Sequence, residues 1–370
     1  MKTIFIRFFV LLSGLIFSIS LAYSQSLTEI CSLSNEVNET SGLLLLNQKI
    51  ITHNDSGGEA ALYEIDSITG SINRKVIIKN ASNIDWEDIC SDDEFIYIGD
   101  FGNNSGSRTD LKIYRIPINE YLENPSNEAN AEIIHFSYSD QSDFTPTFYT
   151  TNFDAEALIA YNDSLYIFTK NWSDVRSNVY SVSKKPGTYQ INKIDSFNAQ
   201  ALVTGAYYNA EYHTLVLTAY NFFAAYIIEI SQFTSNQFSK GNIEKYSIQP
   251  QGSIQIESIA GLKSNHYYLT SEESTSGSSK LYRLKAKNLA LATDLIQTLT
   301  PEIYPNPAKK QVNIQIEKLD RIEIYDIHGK LQKTVKEKKI DIANFETGIY
   351  FLAIYQKENE FPLIGKLIIE

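Results

Sequence analysis

Strand-like alternation of apolar and polar residues runs along most of the chain, and one version of it repeats. Ala61-Leu62-Tyr63-Glu64-Ile65, Leu111-Lys112-Ile113-Tyr114-Arg115-Ile116, Asn178-Val179-Tyr180-Ser181-Val182, Ala225-Tyr226-Ile227-Ile228-Glu229-Ile230 and Lys280-Leu281-Tyr282-Arg283-Leu284 each set a tyrosine among aliphatic residues. Around each copy the order is the same: an acidic or small start, a strand, a polar turn, a Tyr- and Ile-rich strand, a polar loop, and then this Leu/Tyr strand. The five tyrosines are 51, 66, 46 and 56 residues apart, close to the period of four-stranded propeller blades. The pattern predicts an all-β fold, a β-propeller of five blades between residues 26 and 285. Six is the alternative, because the segment from Asn119 to Asn152 is long enough to hold further strands. The last unit stops after its third strand, near Lys285. Residues 26–33, Ser-Leu-Thr-Glu-Ile-Cys-Ser-Leu, are expected to supply its outer strand and close the ring, which removes exposed sheet edges.

Both ends of the chain break this pattern. Lys2 and Arg7 precede an uncharged apolar run from Phe8 to Ala22 and a small-residue site at Ala22-Tyr23-Ser24, so residues 1–24 read as a secretory signal peptide. The run is shorter than the ~20 residues that a membrane span needs, and no cysteine follows the cut. The mature protein is expected to begin near Gln25, to have no transmembrane span and to leave by way of the periplasm. Residues 25–290 are assigned to the propeller and 291–300 to a linker. From 301 to 370 about six short alternating strands predict a small immunoglobulin-like β-sandwich.

Composition supports a packed interior. With 43% hydrophobic and 12% aromatic residues the chain is not disordered. The net charge of −12 is unevenly spread: residues 301–370 hold eleven basic and eleven acidic groups, whereas 25–300 hold 19 basic against 33 acidic. An acidic body of this kind lacks the basic surface a general nucleic-acid binder requires. Cys31 and Cys90 make neither a disulfide framework nor a paired metal motif.

Four segments in the tail carry a resemblance. Tyr304-Pro305-Asn306-Pro307, Ile324-Tyr325-Asp326 with Gly329-Lys330, Thr347-Gly348-Ile349-Tyr350 and Lys366-Leu367-Ile368-Ile369 resemble, in order, the type A C-terminal sorting domain of the type IX secretion system of Bacteroidetes. The resemblance implies that the tail partners the type IX machinery and carries its passenger across the outer membrane. Such a domain is usually removed, with release of the passenger or its attachment to the cell surface.

In a propeller, innermost strands start and second strands end on one face, around a central opening. Here those positions supply Asp85, Trp86, Glu87, Asp88, Asp154, Glu156 and Glu257 from strand starts. His53 to Gly58, Asp100 to Asn104, Arg108, Lys170 to Trp172, Asn221, Glu272 and Glu273 come from strand ends. Clustered carboxylates suit calcium, which accepts irregular oxygen coordination from loops; without a cation their pKa values rise. Glu87, Asp88, Asp100, Glu156 and Glu257 are the expected metal ligands, and Asp55, Trp86, Arg108, Lys170 and Trp172 the expected ligand-binding residues. Turn chemistry is the competing explanation for Asn54-Asp55-Ser56-Gly57-Gly58 and Gly102-Asn103-Asn104; a Glu recurring at strand starts has no turn role. These stretches, with Trp86-Glu87-Asp88-Ile89 and Asp154-Ala155-Glu156-Ala157-Leu158, also resemble the calcium-dependent phytase-like and esterase-like propellers. That resemblance implies calcium ions holding phosphate esters at the acidic face, although only Arg108 and Lys170 are placed to meet a phosphate. Hydrolase elbows, zinc helices and phosphate loops are missing from the sequence. Two functions remain open: an exported binder of an unknown ligand at an acidic, calcium-holding face, and a calcium-dependent hydrolase of esters or phosphoesters.

Overall fold

The computed structural model describes residues 27–221, 224–249, 255–263, 265–273, 277–286, 301–326, 329–357 and 362–370. The predicted signal peptide, the 291–300 linker and residues 327–328 of the central tail motif lie outside the described residues. Most short connections follow turn chemistry. Leu46 and Lys49, for instance, are joined by Asn47-Gln48, both with positive φ (48° and 66°), the two-residue turn whose twist suits a hairpin.

Residues 27–286 form five sheets, each built on four antiparallel strands running outward from an innermost one; the second sheet also takes Gly187–Ile191, from the chain of the third, as a parallel edge strand. Blade 1 runs Thr40–Leu46, Lys49–Asn54, Ala61–Ile65 and Ile72–Ile78. Blade 2 runs Trp86–Ser91, Phe95–Asp100, Lys112–Pro117 and Glu132–Tyr138. Blade 3 comprises Ala155–Tyr161, Ser164–Thr169, Ser177–Ser183 and Lys193–Phe197, and blade 4 Leu202–Asn209, Thr214–Tyr220, Ala225–Ser231 and Asn242–Gln249. In blade 5, Ile256–Gly261, His266–Ser271 and Lys280–Lys285 are completed by Leu27–Ser32, which pairs antiparallel with the third strand. The ring is thus closed by the chain's own beginning. The long segment after Asn119 supplies the outer strand of blade 2 and a short strand, Glu128–Ala129, that lies parallel on the edge of blade 1.

Because both faces of each sheet are covered by neighbouring sheets, the three inner strands are buried nearly throughout, while the outer strands alternate with exposed polar residues. The apolar interior divides into layers that follow the circle. One packs Leu62 and Ile51 of blade 1 on Ile89 and Ile98 of blade 2; the next joins blades 2 and 3 through Tyr97, Ile113, Leu158 and Tyr180. Ile159 and Phe168 meet Leu217 and Ile228 between blades 3 and 4, Val216 and Ile227 meet Leu269 and Tyr282 between blades 4 and 5, and Leu43 and Tyr63 meet Tyr268 and Leu281 to return to blade 1. A cavity of about 270 Å³ is lined by Leu43, Ile89, Ile159, Ala206 and Ile259, one residue from each innermost strand. The radial arrangement follows from these layers: no flat stack of sheets joins its last member to its first.

Residues 302–370 form a three-stranded sheet (Glu302–Tyr304, Gln311–Gln315, Lys339–Asp341) and a four-stranded one (Leu331–Val335, Leu319–Asp326, Gly348–Gln356, Leu363–Ile369). They enclose Val312, Ile314, Ile322, Ile340, Leu352 and Leu367, the inward positions of the alternating pattern. Among the described residues no helix is long and apolar enough to cross a membrane.

Candidate functional site: an acidic mouth

Each innermost strand carries one irregularity at the same level. Against its second strand, blade 2 pairs Trp86 with Asp100 and Asp88 with Gly99, so Glu87 is an extra residue. Glu156, Thr204 and Glu257 are the extra residues of blades 3, 4 and 5. In blade 1, Ser41 and Gly42 stand against the single residue His53. A bulge of this kind re-aims one side chain and sharpens the local twist. Repeated around the ring, it directs three glutamates into one mouth. In the other two blades the bulged residue is a hydroxyl that ties adjacent strands: Ser41 Oγ donates to the Glu87 carbonyl at 2.6 Å and Thr204 Oγ1 to the Ile256 carbonyl at 2.7 Å.

One half of the mouth carries its own cation. Lys170, following the second strand of blade 3, places Nζ 3.0 Å from Glu156 Oε1, both side chains being buried. Its ammonium also lies 5.2 Å from the centre of the Trp172 ring and 5.4 Å from that of Tyr220. Burial opposes the charge on Lys170, but Glu156, Tyr220, Glu257 and Asp154 outweigh it and hold its pKa well above the ordinary value. Asp154 accepts the Trp172 indole N–H at 2.7 Å, and Gln255 donates to Glu257 at 3.0 Å.

In the other half no base among the described residues pairs directly with the carboxylates, although Arg108 draws Asp85 down and Lys170 draws Asp55 and Glu272 down. Asp55, Asp85 and Glu87 each bring one carboxylate oxygen within 4.8 Å of the others. The loops are joined through a bridge between Ser56 and Asp85 and a hydrogen bond of 2.9 Å from Asn83 Nδ2 to the Asn54 carbonyl. Glu87 is only 5% exposed, and among the described residues no donor reaches its carboxylate. Asp55 Oδ1 is likewise buried without a donor. Burial, then Asp85, Glu272 and Glu257, push Asp55 up to about 9; burial and Asp154 push Asp85 up to about 6. Glu272 is raised to about 8 by burial and Glu257, and Glu87 well above the carboxylate range by burial and then Glu156. Gly102 forms the wall: a Cβ there would fall 2.0 Å from Glu87 Oε1 and 2.5 Å from Asp85 Oδ2, so only glycine leaves these oxygens their space.

Several expected residues lie elsewhere. Asp88 is fully buried and turned away from the mouth. Its Oδ1 accepts the Ile89 N–H at 2.8 Å, and its Oδ2 those of Leu158 (2.8 Å) and Ala206 (3.1 Å), so it ties together three innermost strands and offers no oxygen to a metal. Asp100, also buried, is paired with Arg108 at 3.0 Å and Lys112 at 3.2 Å. Arg108 is spent on Asp100, Asp110 and the Gly102 carbonyl, which leaves it no free edge for a phosphate. Trp86 is a core residue at 0% exposure, its indole N–H given to the Ser82 carbonyl at 3.0 Å; it cannot stack a ligand. Asp55, Glu87, Glu156, Glu257, Lys170 and Trp172 do share the mouth. Asp85 and Glu272 belong with them, and the signal for Asp85 is its place two residues before a bulged Glu, as Asp154 precedes Glu156. Cys31 and Cys90 are both free thiols.

Comparison with known proteins adds the tail. Residues 302–370 match the model of the secretion system C-terminal sorting domain. The tail is a type IX sorting domain. It marks the chain for export to the cell surface or beyond through the type IX machinery. A search of curated proteins finds no match. Among solved structures, the chain is similar to an exo-β-1,3-galactanase from Phanerochaete chrysosporium (9% identity, 92% of this chain and 99% of that one, TM-score 0.44). It is also similar to the calcium-binding protein regucalcin from Agrobacterium tumefaciens (11%, 70% and 97%, 0.35) and a quinoprotein alcohol dehydrogenase-like protein from Bacteroides thetaiotaomicron (12%, 84% and 68%, 0.30).

Proposed function

We propose that the body of the chain, residues 25–290, is an exported binding protein whose mouth holds a calcium ion through Asp55, Asp85 and Glu87 and engages its ligand there. The observation that carries this reading is the convergence of three carboxylates within 4.8 Å, while Lys170 is paired with Glu156 instead. Like charges this close, out of water, disfavour one another's ionised forms, and a hard cation relieves the repulsion. The donor set fits calcium, which takes oxygen ligands in irregular geometry. Such an ion would satisfy the unpartnered Asp55 Oδ1 and the Glu87 carboxylate beside it. Bound calcium supplies charge neutralisation and free coordination positions for a ligand oxygen. The chain's own residues do the rest: Gly102 keeps the space open, and Glu156 fixes Lys170 at the far side. Binding is favoured over phosphoester hydrolysis because Arg108 is fully engaged within the protein.

Thermal melting of the purified chain with calcium or chelator tests the reading. An ion bound at 100-fold its Kd adds about 2.7 kcal/mol, which for a body of this size raises the Tm by ~5 °C or more. Glu87→Gln should remove most of the shift, and no hydrolysis of a simple phosphate monoester is expected. A Tm indifferent to millimolar calcium would overturn the proposal.

A further inference from the structure

We infer that the rim beside the acidic mouth binds a neutral saccharide, one sugar ring stacking on a platform made by Phe148, Tyr149 and Trp172. Aromatic side chains left in water mark a contact surface where they form a contiguous patch. Phe148 is 66% and Tyr149 44% exposed, and Trp172 is half-buried. Their rings are contiguous: Phe148 and Tyr149 are 6.0 Å apart between centroids, Tyr149 and Trp172 4.7 Å at 62°.

The platform is built rather than incidental. Its segment is pinned to the neighbouring blade by hydrogen bonds from the Thr147 and Tyr149 N–H groups to the Ser105 and Asn104 carbonyls, 2.9 and 3.1 Å. Trp172 is tied to the same segment through its own N–H and the Thr151 carbonyl at 3.0 Å. Its indole N–H is spent on Asp154 Oδ2, which is fully buried, so the ring cannot swing. Tyr149 has φ 59°, a left-handed backbone that a bulky residue keeps only where the surroundings impose it. A rigid aromatic surface loses little entropy when a ligand lies on it.

Chemistry selects the occupant. A sugar ring has an apolar C–H face for an aromatic plane and a hydroxyl edge for polar groups, and Lys170 stands 5.2 Å from the Trp172 ring with Glu156 bonded to it. Three rings are far smaller than the ~800 Å² per partner of a stable protein interface. The acidic mouth disfavours uronates and phosphates, leaving neutral sugars. This inference names a ligand class for the binding reading above, yet the platform shares no residue with Asp55, Asp85 and Glu87.

Native affinity electrophoresis of the full chain through gels containing a β-1,3-glucan, a β-1,4-xylan or a β-1,4-mannan tests it. At least one polysaccharide should retard the protein. Tyr149→Ala and Trp172→Ala should weaken that binding at least tenfold, and Leu331→Ala in the tail should leave it unchanged. Should Trp172→Ala fail to fold, Trp172→Phe provides the second measurement. Trp86 and Trp172 are the two tryptophans, so a sugar-induced change in emission must vanish in that variant. No retardation in any gel, as expected of a protein-contact rim, or binding undiminished in the variants, overturns the inference. Retardation that persists in chelator while calcium leaves the Tm unchanged would sink the cation reading alone; a calcium shift without retardation would sink the saccharide alone.

Discussion

Asp88 and Glu87 are neighbours with opposite fates, and the difference is hydrogen bonding. Three backbone N–H groups from three blades end on Asp88, whereas among the described residues none reaches the Glu87 carboxylate. Burial raises the Asp88 carboxyl well above the carboxylate range, and those three N–H groups offset it only in part. Asp88→Ala would orphan all three donors, each costing about 1–3 kcal/mol when buried. The expected result is a loss of ~3 kcal/mol or more in denaturant unfolding with or without calcium, and a calcium response left intact in whatever folds. Gly102→Ala should behave in the opposite way. Its methyl would intrude on the oxygens of Glu87 and Asp85, so the calcium-induced rise in Tm should disappear while the cation-free melt changes by a few degrees at most. A Gly102→Ala protein with the wild-type calcium response would show that the ion lies elsewhere.

At the scale of elements, the bulged start of each innermost strand joins fold to site. The Glu-x-Ile/Leu spacing of Glu87-Asp88-Ile89, Glu156-Ala157-Leu158 and Glu257-Ser258-Ile259 was legible as a repeat. That Ser41 and Thr204 occupy the matching places in blades 1 and 4 was not, because neither resembles Glu and only the strand register equates them. Leu27–Ser32 is the second element on which the ring depends. Removing residues 25–33 exposes the third strand of blade 5 along Lys280–Lys285, an unpaired edge of the kind that recruits other chains. Such a truncation should melt at lower temperature and elute from size exclusion as aggregates or swapped oligomers, where the intact chain elutes as one species.

The whole molecule links pH, cation and export. Carboxylates of an unfolded chain titrate near pH 4, whereas Asp55 and Glu272 reach about 9 and about 8 in the folded body. The folded state therefore holds more protons, and its stability falls as pH rises through that interval. His53, lowered to about 4 by burial, works in the other direction below pH 6.5, and Lys245, lowered to about 8 by burial, does so in the alkaline range. Between pH 6.5 and 8 the cation-free Tm should accordingly decline. Calcium, which displaces the shared protons, should raise the Tm more at pH 8 than at pH 6; an equal rise at both would count against a carboxylate site. Deleting residues 302–370 should leave the body inside the cell envelope, as fractionation and immunoblotting would reveal.

The repeat of tyrosine strands, the change in charge near residue 300 and the four tail motifs are local features, written in residues a few positions apart. The sequence by itself therefore determined an all-β chain of repeated sheets followed by a sorting domain. Which carboxylates meet was decided only by the tertiary structure. One extra residue at a strand start turns Glu87 into the mouth and leaves Asp88 in the interior. Cations eight and twelve positions along the chain, Arg108 and Lys112, pair with Asp100, while Asp85 faces Asp55 and Glu87. Charge that is additive along a sequence becomes selective in space because neutralisation falls off over a few ångströms and depends on closure of the ring.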